Sequence, residues 1–185
     1  MTGNRVMTIQ SKFFQSLAGS RVWYVMVLIL LAPFRTNAQS GDGAVADNLD
    51  WVYMERALEI AAEEDKMILI DVYAEWCPYC QNMQGTVYPD ERVEEQVRNY
   101  FIPVRINSES NRPLVYLGQD FTEMEFARAL QYRSVPTTYF MNKSGEVIGQ
   151  QPGLLPAGTF ADLLRFVGTG SWQKMSFEEF SEQNE

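Results

Sequence analysis

The tetrapeptide Cys77-Pro78-Tyr79-Cys80 holds both cysteines of the 185-residue chain, and its surroundings restrict the fold more than any other feature. Upstream, Met67-Ile68-Leu69-Ile70-Asp71-Val72-Tyr73 is an apolar, β-branched run suited to a buried strand and interrupted by one acid. Downstream, Cys77 to about Gly85 reads as a helix begun at Pro78, whose missing N–H would have had no partner in a first turn. A C-x-x-C pair between strand and helix in a βαβ pattern points to thiol–disulfide chemistry. Zinc normally takes four Cys, His or carboxylate ligands, and two cysteines in a chain without histidine cannot close such a site alone. Two alternatives stay open at this point. A purely structural disulfide across so small a loop contributes about 2 kcal/mol by chain entropy, and soft Cu(I) could sit on two thiolates.

The spacing has a physical reason. A first cysteine at a helix amino terminus meets unpaired N–H groups and the positive end of the dipole, which lower a thiol pKa of about 8.5 into the range of roughly 3.5–7.5. Cys77 is therefore expected to be the nucleophile, the more exposed and acidic thiol. Cys80, one turn later on the same face, is expected to be buried and placed to resolve a mixed disulfide.

Around this motif the pattern alternates between helix and strand. A helix is expected from Asp50 to Glu64, with Trp51, Met54, Leu58 and Ala61 inward. Asp90 caps a helix carrying Val93 and Val97 on one face, and Phe101–Ile106 alternates as a strand. Thr122-Glu123-Met124-Glu125 is a capping-box sequence for a helix to about Gln131, with Met124, Ala127 and Leu130 inward. Asn142-Lys143-Ser144-Gly145 joins strands Thr137–Met141 and Glu146–Gln150 into an antiparallel hairpin, and Pro156 opens a last helix, Ala157–Val167, closed by Gly168. The order implies an α/β fold, a central mixed β-sheet with helices on both faces, in one domain over residues 49–168. Trp172, Phe177 and Phe180 in the acidic tail, residues 169–185, fit a short amphipathic turn packed on that domain.

Residues 1–38 carry basic residues and then a thirteen-residue apolar run, Val22–Phe34, followed by Thr36-Asn37-Ala38. They read as a cleaved signal peptide, because a spanning helix needs about 20 residues; an uncleaved membrane anchor is the alternative. Residues 39–48 form a Gly-, Ala- and Asp-rich leader. Loss of Arg5, Lys12, Arg21 and Arg35 with the signal takes the formal charge from −9 to −13, which argues against nucleic acid as a partner. Export places the cysteines in an oxidising compartment, the bacterial periplasm.

The stretch Asp71-Val72-Tyr73-Ala74-Glu75-Trp76-Cys77-Pro78-Tyr79-Cys80 resembles the active-site strand and helix start of the thioredoxin superfamily, and Val135-Pro136-Thr137 resembles its cis-proline loop. The similarity spans about Asp50 to Val167. It is nearest to exported SoxW-type thioredoxin-like proteins and to the carboxy-terminal domain of membrane thiol:disulfide interchange reductases. The resemblance implies a thioredoxin fold, attack by Cys77 and resolution by Cys80. It implies that Trp76 covers the sulfurs, that Pro78 and Tyr79 meet the substrate, that Pro136 lies against the sulfurs, and that the Val135 backbone pairs with an extended client. Asp71, six residues before Cys77, is implied as proton acceptor for Cys80, modulated by Glu75 and Arg105.

Three departures limit the transfer. Pro78-Tyr79 stands where a common thioredoxin has Gly-Pro, so its redox potential is not carried over. Arg105 stands where thioredoxins often have lysine; it keeps its charge in almost any setting, and so should hold Asp71 ionised to lower pH. The connection Ser108–Phe121 is longer, and its apolar Leu114, Val115, Tyr116 and Leu117 suggest that it packs down or meets a partner. The expected protein is an exported, monomeric protein-disulfide oxidoreductase acting as a reductant, with protein thiol or disulfide substrates, a membrane-linked electron donor and no cofactor or metal beyond the redox disulfide. The alternative is a non-catalytic module that binds clients or copper.

Overall fold

The computed structural model describes residues 48–183. The signal-peptide reading and nearly all of the leader lie outside these residues. Four strands form a sheet in the order β2-β1-β5-β6: β1 (Met67–Tyr73), β2 (Phe101–Asn107), β5 (Thr137–Met141) and β6 (Val147–Pro152). β1 runs parallel to β2, and antiparallel pairing joins β1 to β5 and β5 to β6. The fold is a thioredoxin fold, with a mixed sheet covered on both faces.

Alternation along β1 explains the two-sided core. Ile68, Ile70 and Val72 face Met54, Ala57 and Ala61 of α1 (Met54–Glu64) and Phe126 and Ala127 of α4 (Glu123–Ala129). Leu69 faces the other way, toward α3 (Glu91–Tyr100) and α5 (Ala157–Gly168) through Val93, Val97, Phe160 and Leu164. On the same side α2 (Pro78–Asn82) continues into a π-helical turn, Met83–Val87. Asp90 caps α3 by accepting from the Arg92 N–H, and the capping box at Thr122 and Glu125 is complete.

Several expectations shift in position. α1 starts at Met54 because Trp51 and Val52 are extended: the Val52 N–H donates to Pro103 O at 3.0 Å and Val52 bridges Val104 in parallel. Ala57 is fully buried where Leu58 was expected, and in α4 Phe126 and Glu123 are buried while Met124 and Leu130 are only half-buried. Phe126 packs on Tyr116 and Phe121, with ring centroids 5.0 and 5.9 Å apart, so the long connection sets the phase of that helix.

That connection is itself a hairpin, β3 (Pro113–Tyr116) and β4 (Gln119–Thr122), which the sequence reading did not contain. Its turn residues Leu117 and Gly118 both have positive φ, 49° and 76°, as a two-residue hairpin turn requires. A leucine in the first of these positions hides the usual Asn-Gly or Asp-Gly signal. Leu114 is buried, whereas Val115 and Leu117 are exposed.

At the carboxyl end, Phe177 and Phe180 stack on Phe166 with centroids 5.5 and 5.3 Å apart, and Phe177–Glu182 forms a short helix, α6. Gly168 is the last residue of α5 rather than its left-handed stop, a conformation taken by Gly170 at φ 71°. Gly168 is needed for close approach, since a Cβ there would lie 2.4 Å from Tyr100 Cγ and 2.6 Å from its Cβ, on the facing helix α3. Gly168→Ala is expected to lower stability by about 1–3 kcal/mol through overpacking. Urea denaturation at constant m-value measures it.

Candidate active site

Cys77 is the cap residue of α2, in an extended conformation at φ −80° and ψ 113°, and Pro78 occupies the first turn. The Cys77 sulfur accepts the Cys80 N–H at 3.1 Å, so a helix-terminal donor points at the sulfur that would carry charge. Cys77 and Cys80 form a disulfide with Cα atoms 5.2 Å apart. Ala74, Tyr73 and Val135 make the apolar shell round the two sulfurs.

The Val135–Pro136 peptide bond is cis, and the Val135 carbonyl oxygen lies 3.6 Å from Cys77 Sγ. The loop is fixed on both sides: the Thr137 hydroxyl donates to Ser134 O at 2.7 Å and the Gly153 N–H to Pro136 O at 2.8 Å. Pro136 is buried and Val135 half-buried beside the sulfurs.

In the disulfide form Cys77 and Cys80 are both buried, 2% and 1% exposed, with Val135 packed against them. Trp76 is 65% exposed, and its indole N–H donates to Glu109 Oε1 at 2.9 Å, a contact with the β2–β3 connection. Tyr79 is equally exposed, so an exposed aromatic side chain directly precedes each of the two cysteines. Glu109 is a partner that the sequence reading missed, and an exposed glutamate in a loop gives no pattern by which to find it. Glu75 is exposed, and its carbonyl accepts from the Gln81 side chain at 2.9 Å, bracing the start of α2.

Asp71 is 1% exposed, on the face of β1 that also carries Tyr73 of the sulfur shell. It stands opposite Arg105 on β2 and Thr138 on β5. Arg105 Nε lies 3.3 Å from Asp71 Oδ2, and the guanidinium stacks over Tyr73 and Trp51 at 4.3 and 5.2 Å from their centroids. This half-buried cation balances the buried carboxylate. Burial, partly offset by Arg105, raises the Tyr73 phenol pKa. A cleft of about 380 Å³ opens beside this pair, with Tyr53, Tyr73, Glu75, Arg105 and Arg112 in its wall. Among the described residues no cluster of three or more His, Cys, Asp or Glu side chains suits a metal ion.

A disulfide at a helix amino terminus, beside the carbonyl that precedes a cis-proline, has the make-up of a thiol–disulfide exchange site. Residues 54–168 match the family described as thioredoxin-like domain, and the chain belongs to that family. It is 26% identical over 167 residues to the thiol:disulfide interchange protein DsbD of Salmonella typhimurium, a match covering 80% of this chain and 27% of that protein. The curated relatives are much longer proteins, of which the matches span 14–27%. Among solved structures, a putative disulphide-isomerase from Bacteroides thetaiotaomicron superposes with a TM-score of 0.52 at 25% identity, covering 71% of this chain and 98% of that one. A thioredoxin-fold protein from Helicobacter pylori superposes with a TM-score of 0.57 at 20% identity, covering 65% and 80%. At a coarse level the chain is a thioredoxin-like oxidoreductase with a C-x-x-C pair, related to DsbD.

Proposed function

We propose that this protein is an exported reductant of protein disulfides, recharged by a membrane-borne dithiol donor. The observation that carries the reading is the Cys77 sulfur held between the Cys80 N–H and the Val135 carbonyl. In the reduced protein the Cys77 thiolate attacks a client disulfide. One client sulfur leaves as a thiolate, and a Cys77–client mixed disulfide forms. Cys80 then gives its proton to Asp71 and attacks the Cys77 sulfur. The Cys77–Cys80 bond forms, the second client sulfur leaves, and the client has gained two electrons. Val135 offers backbone groups to an extended client segment, while Pro78, Tyr79 and Trp76 supply apolar contact around the sulfurs. Arg105 keeps Asp71 charged and ready to accept the proton.

The similarity to thiol:disulfide interchange proteins supports a relay role, and the basic, apolar amino-terminal segment supports export. Among the described residues no helix is long and apolar enough to cross a membrane. Equilibration with glutathione tests the direction. A reductant should have a potential below about −200 mV, near that of thioredoxins, whereas a value above about −150 mV would make the protein an oxidant.

A further inference from the structure

Tyr88 directly follows the π-helical turn and is fully buried, edge-on to Trp51 and Phe160 with ring centroids 5.0 and 6.0 Å away. Its hydroxyl is electrostatically coupled to the Asp71 carboxylate and to Thr138, the residue opposite Asp71 across the β1–β5 pair. In the disulfide form that hydroxyl makes no hydrogen bond of standard geometry. Phenylalanine would fill the same aromatic pocket without burying an oxygen, and a hydroxyl placed in a dry core is costly unless it has a polar task. Burial first, and the Asp71 charge second, raise the phenol pKa well above the ordinary tyrosine value, so the group stays a proton donor at every physiological pH.

We propose that Tyr88 is a positioning residue for the resolving step, its hydroxyl donating to the Asp71 carboxylate in the reduced protein and holding it ionised to accept the Cys80 proton. The inference rests on Asp71 acting as the base in the proposed exchange. Asp71 takes the proton from the Cys80 S–H, the Cys77–Cys80 bond forms as the Cys77–client bond breaks, and the client thiolate is protonated from solvent. Tyr88 keeps its own proton throughout. The titratable and charged groups coupled to Asp71 are Arg105 from β2, Tyr73 from its own strand and Tyr88, while Thr138 lies opposite it on β5 without titrating.

The test uses the full reduced chain, Tyr88→Phe, and an aromatic disulfide whose two thiolates are released in succession. The first release reports attack by Cys77, and the second reports resolution by Cys80. A hydrogen bond to a charged carboxylate favours that form, so its removal raises the Asp71 pKa. The rising limb of the resolving rate should move to higher pH by about one unit, a roughly tenfold loss at any pH on that limb, with the first release unchanged. A limb that stays in place in Tyr88→Phe overturns the inference, provided that Asp71→Asn abolishes it. If Asp71→Asn also keeps the wild-type limb, the reading of Asp71 as base fails, and the inference falls with it. Equal thermal unfolding of Tyr88→Phe and wild type separates this effect from a packing defect.

Discussion

Replacing Cys77 by serine is expected to lower the rate of disulfide reduction by on the order of a thousandfold, down to that of the uncatalysed dithiol reaction. A serine hydroxyl stays protonated near neutral pH, whereas the Cys77 sulfur is placed to carry charge, with the Cys80 N–H directed at it from 3.1 Å. The fold should survive. Loss of the disulfide removes about 2 kcal/mol of chain-entropy stabilisation, and the two apolar clusters on either side of the sheet do not depend on the sulfurs. A turbidity assay of insulin reduction with dithiothreitol measures the rate, and circular dichroism checks the fold. A Cys77→Ser protein that still accelerates the reaction would assign attack to Cys80.

Phe126→Ala is expected to cost about 3–5 kcal/mol. Its ring is 2% exposed and joins three elements, packing within α4 against Tyr116 of β3 and Phe121 of β4. Truncation leaves a cavity under the β3–β4 hairpin, which among the described residues pairs with no strand outside itself. Urea denaturation should show a lower midpoint, and amide exchange should show early loss of protection from Leu114 to Thr122. A loss under 1 kcal/mol would mean that the hairpin collapses onto the vacated space.

The chemistry was more legible in the sequence than the insertion. The C-x-x-C spacing, the proline in the first helical turn and the acid within an apolar strand each have local causes, and they placed the core of the site and the sheet around it. The Asn142–Gly145 turn likewise declared its hairpin. Tertiary contacts decided the rest. Pairing of Val52 with Val104 kept Trp51 and Val52 out of α1. The Leu117-Gly118 turn lacks the residues that usually mark one, so β3 and β4 passed as loop, and with them the ring cluster that rotates α4 toward Phe126. Trp76 gives no local sign of its hydrogen bond to Glu109, thirty-three residues away. Tyr88 carries no local signal either, because a tyrosine among apolar residues looks the same whether its hydroxyl has a role or not.

The central claim is that Cys77 attacks and Cys80 resolves. The direct measurement is mass spectrometry of the Cys80→Ser protein after exposure to an oxidised client, followed by peptide mapping. The account predicts accumulation of a one-to-one mixed disulfide through Cys77, reversed by dithiothreitol. Clean, unmodified monomer, with wild type still turning over the same client, would contradict it.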